Sequence, residues 1–284
     1  AEKNDGSCEY PIDKSIISRN ITSDKTLSND TIWMLQSRVA VESGVTLTIE
    51  PGTIIKAIAG TGANAASLII ARGAKIMAQG TPTQPIIFTS ESDNIQIGET
   101  YGSSLGSNVR GLWGGLLILG NAPGSFSGNV ESFQIEGIPA SDINGLYGGT
   151  DPNDNSGILS YVSIRHGGAE IGEGNEINGL TLGAVGTGTI INNIEVVANV
   201  DDGIEFFGGT VNADHLLVYA QGDDGLDIDQ GYSGKISNSL VVLTTVSDHA
   251  LEIDGPEGQM AGSFELDSIY LVGATTNCLP DGVD

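Results

Sequence analysis

The chain has 284 residues, with 36 acidic and 11 basic side chains and a formal net charge of −25. Binding to nucleic acid needs a basic footprint, so this charge argues against nucleic acid as a partner and against anionic membrane surfaces. No apolar run reaches the roughly 18 residues that a transmembrane helix needs. The 41 glycines suit a fold that turns tightly at many corners.

The N-terminal region, residues 1–35, is predicted to be an extended leader followed by an N-terminal cap. Residues 1–30 are polar and lack periodicity, and Ile32–Leu35 would close the open end of a core. The start at Ala1 suggests a processed or trimmed N-terminus. Cys8 and Cys278 lie near opposite ends of the chain, so the sequence leaves open whether they pair in a disulfide.

Residues 36–284 are predicted to be an all-β fold, a right-handed parallel β-helix solenoid with three short strands per rung. Apolar residues alternate at Val45, Leu47 and Ile49, and Gly44 and Gly73 mark equivalent turns 29 residues apart. Polar insertions are expected at about 91–112, 120–157 and 166–177. Insertions of a solenoid often project from its binding face.

Three later segments repeat one pattern, a turn followed by alternating apolar and acidic residues. When they are aligned on the first apolar residue, Ile204, Leu226 and Leu251 lie 22 and 25 residues apart, and a fourth copy aligns through Leu180. Repeats of this length with one short strand each are typical of a solenoid. The apolar residues of each copy are expected to face inward and the acidic residues outward.

The outward residues would stack about 4.8 Å apart on successive rungs and form a column of carboxylates. Two such charges repel by roughly 3 kcal/mol at an effective dielectric constant near 20, so protonation, a cation or full solvation must offset them. The column is Glu205, Asp227 and Glu252, beside a second pair, Asp229 and Asp254; Asp202 and Asp224 belong to the preceding turns.

Calcium is the cation that this column suggests, because calcium prefers six to eight oxygen ligands. The predicted ligands are Asp202, Glu205, Asp224, Asp227, Asp229, Glu252 and Asp254, helped by Glu173 or Glu176. The alternative is a solvated acidic face that only keeps the protein soluble. His166, His215 and His249 lack zinc-ligand spacing, and a structural role is expected for each.

An apolar strip is predicted on the outer face of another strand of each rung. Its members are Leu217, Tyr219, Val241, Leu243 and Tyr270, with Leu240 and Val242 facing inward. An outer face this apolar is unlike a bare surface. Either a partner, another domain or a second copy contacts it, or the second insertion folds back over it through Phe126, Phe133, Ile135 and Ile138.

Several segments give the chain a specific resemblance. The segments GVTLTIEPGTIIK, GAKIMAQGTPTQPIIFTS, GLWGGLLILGNAP, VDDGIEFFGGTVN and DDGLDIDQGYSGKISN are similar to rungs of secreted, pectin-lyase-like right-handed parallel β-helix proteins of environmental bacteria. The resemblance covers about residues 36–273. It implies a secreted or outer cell-surface bacterial protein, and it says little about function.

Polysaccharide lyases and hydrolases share this fold, which makes an enzyme the alternative hypothesis. The Asp201–Asp202 and Asp223–Asp224 pairs resemble the paired aspartates of such hydrolases, without their His-Gly and Arg-x-Lys elements in matching places. The catalytic candidates would be Asp202, Asp224 and Asp227. Only Arg165 and Lys235 follow Arg110, which disfavours a lyase because lyases need a basic residue.

The sequence therefore favours a non-catalytic, calcium-binding extracellular or cell-surface protein used for adhesion, glycan binding or surface assembly. Its expected partners are a polysaccharide, another surface protein or a second copy of the chain. A polysaccharide-degrading enzyme acting at the acidic face, more readily a glycoside hydrolase than a lyase, is the alternative.

Overall fold

The computed structural model describes residues 15–62, 65–171 and 176–274, so Cys8, Cys278 and Glu173 lie outside the described residues. In chain order the strands are β1 (Ile16–Ile17), β2 (Lys25–Leu27), β3 (Ile32–Leu35), β4 (Arg38–Val41), β5 (Thr46–Ile49), β6 (Ile54–Ala57), β7 (Ser67–Ile70), β8 (Lys75–Gln79), β9 (Ile86–Ser90), β10 (Leu116–Leu119), β11 (Phe133–Gln134), β12 (Leu146–Tyr147), β13 (Gly157–Arg165), β14 (Leu180–Gly183), β15 (Ile190–Val197), β16 (Ile204–Phe207), β17 (Ala213–Tyr219), β18 (Leu226–Asp229), β19 (Lys235–Val242), β20 (Leu251–Gly255) and β21 (Glu265–Val272). Two 3-10 turns, Ser127–Asn129 and Ile143–Gly145, lie in the second insertion. Among the described residues, no helix has the length and apolarity needed to span a bilayer.

Two long parallel sheets build the molecule. The seven-stranded sheet runs in the order β4-β7-β10-β14-β16-β18-β20. The other sheet begins as two branches, β1-β3-β6-β9 and β2-β5-β8, which meet at β13 and continue as β15-β17-β19-β21. Each strand of these two sheets pairs in parallel with its equivalent in the next rung, which confirms the predicted parallel β-helix. Strands β11 and β12 of the second insertion pair antiparallel with each other. In the earlier rungs the branched sheet has two separate strands per rung, such as β8 and β9. From β13 onward a single long strand takes the place of both, and β13 pairs with β8 and with β9.

Each long strand bends at a residue with left-handed backbone torsion. The bend residues stack through the sheet as Tyr161, Asn193, His215, Asn238 and Ser268, with φ between 50° and 60°. The predicted apolar strip, which sets Val241 and Leu243 beside Leu217 and Tyr219, requires Ser239 and not Asn238 to align with His215. Asparagine adopts this conformation more readily than most residues, and this preference sets the bend one residue earlier.

This shift of one residue reverses the predicted faces of β19. Val241 and Leu243, predicted to face outward, are buried in the core with exposed fractions of 0% and 5%. Leu240 and Val242 take the outward positions beside Leu217 and Tyr219. Because side chains alternate with period two, a single misplaced bend residue is enough to exchange the two faces of a strand.

The second insertion covers the outer face of the seven-stranded sheet and not the apolar strip. Its residues Phe126, Ile135, Ile138 and Tyr147 form one buried cluster with Ile69, Leu117, Leu119 and Phe207 of that sheet. The expectation that it folds over the strip is therefore wrong. Tyr219 and Tyr270 on the strip remain 37% and 66% exposed, and the use of the strip as a contact surface stays a prediction.

A substitution at Gly157, the first residue of β13, tests how closely the rungs pack. Gly157 has a φ of 113°, and a Cβ added there would lie 1.9 Å from the carbonyl oxygen of Ile76 in the preceding rung. Gly157→Ala is expected to cost about 3 kcal/mol or more in the free energy of unfolding, measured by urea denaturation.

Gly44 provides the matched control, since its φ is 82° but an added Cβ meets no atom within 4 Å. Gly44→Ala should cost only the backbone strain, about 1–2 kcal/mol. Equal losses in the two variants would show that the contact with the neighbouring rung contributes nothing.

Candidate cation site

The acidic residues lie on the last three strands of the seven-stranded sheet. The register places Glu205 of β16 opposite Asp227 of β18, and Asp227 opposite Glu252 of β20. The predicted pairing of Asp229 with Asp254 is wrong, because the register shifts after Ile228 and sets Asp229 opposite Gly255. A β-bulge of this kind leaves one residue unpaired and re-aims the side chains around it.

Three carboxylates come together in a cluster that we call the inner triad: Asp202, Glu205 and Asp227. Glu205 and Asp227 lie on the paired strands β16 and β18, and Asp202 lies in the turn that leads into β16. One oxygen from each lies within 4.8 Å of the others. Their exposed fractions are 7%, 6% and 7%. Full solvation, one of the three ways to offset the repulsion, is therefore not open to this triad, and protonation or a cation must do so.

The hydrogen bonds around the inner triad satisfy it only in part. Asn178 Nδ2 donates to Glu205 Oε2, and the backbone N–H of Asp224 donates to Asp202 Oδ1 at 2.9 Å. Asp227 Oδ1 is buried without an N–H or hydroxyl donor among the described residues. None of the described lysines or arginines forms an ion pair with the triad.

Burial and mutual repulsion raise the pKa values of all three carboxyl groups. The pKa of Glu205 lies well above its ordinary value, first because of burial and then because of the charges of Asp227 and Asp202. Burial and the charges of Asp201 and Asp227 do the same to Asp202. Burial also raises the pKa of Asp227 to about 7, although a hydrogen bond from a protonated Glu205 opposes the rise.

A second group, the outer triad, shares one residue with the first. Its members are Asp201, Asp202 and Asp223, again with one oxygen each within 4.8 Å. Burial, followed by the charges of Glu136 and Asp223, raises the pKa of Asp201 to about 7. Glu136 comes from the second insertion, so the segment that covers the sheet adds negative charge to the site.

The pair Asp224–His249 borders the site on the side of the last rung. The backbone N–H of His249 donates to Asp224 Oδ1 at 2.7 Å, and His249 Nδ1 lies 3.0 Å from the same oxygen. Glu252 reaches this pair as well, since its hydrogen bond with Asp224 and then burial raise its pKa to about 8. Asp224 itself is 2% exposed.

The structure thus divides the predicted calcium ligands into three groups. The inner triad contains Asp202, Glu205 and Asp227, and beside it lie Asp224 and Glu252. Asp229 is partly buried, and burial raises its pKa to about 6. Asp254 is exposed. Glu176 contributes charge near Asp201.

Sequence reasoning missed some of the neighbours of the site. Asn178 occupies the same place in its turn as Asp202 and Asp224, so the repeat alignment contained a signal for it. His249 occupies that place in the last copy, where a structural role was expected. Glu136 lies in a non-repetitive insertion, and no pattern pointed to it.

The comparisons with known proteins give one match. A family model described as a pectate-lyase like beta helix domain matches residues 19–275. No curated protein matches the chain significantly, and no solved structure does. The match covers most of the chain, including the three insertions and the acidic strands that follow them.

Proposed function

The chain belongs to the family of pectate-lyase-like β-helix domains, and on that premise we propose that it is a non-catalytic, calcium-binding extracellular or cell-surface protein. Family membership supports a surface or carbohydrate-related role. Adhesion, glycan binding and surface assembly are the uses that fit such a role, with a polysaccharide, another surface protein or a second copy as the partner.

One observation carries the calcium proposal: the inner triad is buried, and among the described residues it has no cationic partner and includes an oxygen without a hydrogen-bond donor. A buried carboxylate without a counter-charge is destabilising unless it is protonated or coordinates a metal. Calcium accepts carboxylate and amide oxygens in flexible geometry. Asp202, Glu205 and Asp227 would supply the carboxylates, and the Asn178 amide lies against Glu205.

The choice of calcium over zinc rests on the donor atoms. All three groups of the inner triad offer oxygen, and no nitrogen or sulfur ligand from the described part of the chain joins them. Zinc sites in proteins usually include histidine or cysteine, whereas oxygen-only sites suit calcium or magnesium. Magnesium requires near-ideal octahedral geometry and keeps several waters, so a crowded, buried carboxylate group favours the larger ion.

Calcium titration tests the proposal directly. Isothermal titration calorimetry at pH 8 should show saturable calcium binding, and the melting temperature should rise with calcium and fall with EDTA. At a calcium concentration about 100 times the dissociation constant, the gain in stability should be about 2.7 kcal/mol. A melting temperature that does not change between millimolar calcium and EDTA would refute calcium binding.

A glycoside hydrolase acting at this acidic face is the second candidate. Its support is the pair Glu205 and Asp227. The pKa of Glu205 is raised well above its ordinary value, so Glu205 would serve as the acid at neutral pH. Asp227, with a pKa of about 7, would ionise and serve as the base. The burial of both groups opposes this candidate, because a polymer must reach both carboxyls. New reducing ends in a screen of polysaccharides, with and without EDTA, would establish this candidate.

A further inference from the structure

A separate concavity of about 270 Å³ lies on the N-terminal rungs, where three stacked turns meet the first insertion. The turns between β2 and β3, β5 and β6, and β8 and β9 contribute Asn29, Gly52 and Gln84. The insertion contributes Ile97 and Thr100. Neither triad contributes a residue to its lining, so the concavity is distinct from the cation site.

The insertion that forms one wall is held in a defined conformation. Ile95 is fully buried against Ile54 and Ile87 on the outer face of two rungs. The Asn94 side chain closes the loop, since its Oδ1 accepts from the backbone N–H of Ser103 at 2.7 Å. A wall ordered in advance lowers the entropic cost of binding a ligand.

Most of the polar side-chain atoms that line the concavity form no hydrogen bond within the described residues, although Asn29 Nδ2 and one oxygen of Glu99 do. The side chains of Thr83, Gln84 and Thr100 form no hydrogen bond within the described part of the chain. Asn29 Nδ2 donates to the carbonyl of Pro51 at 2.9 Å, which leaves its Oδ1 available. The concavity therefore presents an amide, two hydroxyls and a carbonyl oxygen to a ligand.

An apolar wall completes the concavity. Ile97 is 49% exposed, and Pro85 also lines the concavity. A pyranose ring matches this combination, because it carries hydroxyl groups at its edge and apolar C–H groups on its faces. A volume slightly below the roughly 300 Å³ of the smallest drug-sized pockets suits one sugar unit.

The charge around the concavity indicates a neutral ligand. Its lining includes Glu99 but no lysine, arginine or histidine that could pair with an acidic sugar. Residues 1–90 carry eight acidic and eight basic side chains, so the whole net charge of −25 resides in residues 91–284. A neutral sugar needs no counter-charge, and Glu99 can accept hydrogen bonds from its hydroxyl groups.

We propose that this concavity binds one unit of a neutral glycan. The proposal rests on the glycan-binding role proposed above and does not depend on calcium. Five hydrogen-bonding side chains and one apolar wall give a weak site, with a dissociation constant on the order of 1 mM. Useful attachment to a surface would then come from many copies acting together.

The test uses the intact chain with cellotetraose, xylotetraose, galactotetraose and maltotetraose as probes. Saturation-transfer NMR should show contact with at least one of them, and calorimetry should give its dissociation constant. The double variant Gln84→Ala, Thr100→Val should weaken binding by about tenfold, since two neutral hydrogen bonds are lost. Gln259→Ala, at an exposed glutamine outside the concavity, is the matched control.

Absence of binding to all four probes at 10 mM, a wild-type affinity in the double variant, or an equal loss in Gln259→Ala would each overturn the proposal. Tri-galacturonate with calcium is run in the same assays as a fifth probe; binding to it and to none of the four neutral probes would overturn the proposal and place the glycan contact at the acidic face instead. The calcium-dependent melting temperature of the same sample is read separately, so failure of this inference and failure of the calcium proposal are distinguishable.

Discussion

Replacing Asp227 with asparagine is expected to abolish most of the stabilisation by calcium and to make the calcium-free protein more stable at pH 8. The substitution removes one of three buried carboxylates that lie within 4.8 Å of one another. It relieves repulsion of about 3 kcal/mol per pair at an effective dielectric constant of 20, and we expect a net gain of about 1–3 kcal/mol in EDTA. Urea denaturation in EDTA and in calcium measures both effects.

Glu131→Gln is the control, because Glu131 is an exposed carboxylate whose side chain forms no hydrogen bond or ion pair within the described residues. It should leave both the calcium response and the stability in EDTA within about 0.5 kcal/mol of the wild type. If Asp227→Asn bound calcium as tightly as the wild type, the inner triad would not be the calcium site. If it lost stability in EDTA, repulsion would not be the dominant interaction there.

The stability of the calcium-free protein is expected to fall as pH rises from about 4 to about 7. Burial raises the pKa of Asp227 from 3.8 to about 7 in the folded state. A raised folded-state pKa means that the folded protein holds the proton more tightly. Its contribution is therefore complete below the unfolded-state pKa and is lost as pH passes through the folded-state pKa. For Asp227 alone the loss is on the order of 4 kcal/mol.

Calcium should reverse this dependence, since it binds the deprotonated carboxylates and its affinity rises with pH. The largest difference in melting temperature between calcium and EDTA is thus expected at pH 8, and a small difference at pH 5. Thermal melts at half-unit pH steps in both conditions provide the measurement. A calcium-free protein that is most stable at pH 8 would show that the triad carries no buried repulsion.

The sequence was sufficient for the architecture because a stacked fold repeats its local rules. The alternation around Ile204, Leu226 and Leu251 specified which residues face the core, and the register agrees with it. Prediction failed where the repeat is irregular. Asn238 and not Ser239 occupies the bend, and the bulge after Ile228 separates Asp229 from its expected partner.

The sequence was enough to predict which residues form the candidate site, but not that these residues are buried. The pattern brought Asp202, Glu205 and Asp227 together, since equivalent positions of neighbouring rungs must meet. Their environment was not predictable, because the second insertion, whose Glu136 adds to the rise that burial gives the pKa of Asp201 and Glu205, has no repeat that shows where it folds. The repulsion among the buried carboxylates is stronger than for a column of carboxylates in water. Glu136 of the second insertion adds a further negative charge near Asp201.

The inner triad spans two adjacent rungs, with Asp202 and Glu205 on one and Asp227 on the next, and Asn178 reaches it from a third. A solenoid behaves as a one-dimensional array in which each rung is coupled mainly to its neighbours. With the triad ionised and no cation, that coupling weakens where the two acidic rungs meet, and the C-terminal rungs can fray independently of the N-terminal ones. A bound cation would join the rungs at this junction, so the length of chain that unfolds as one cooperative unit would depend on the ionic composition of the surroundings.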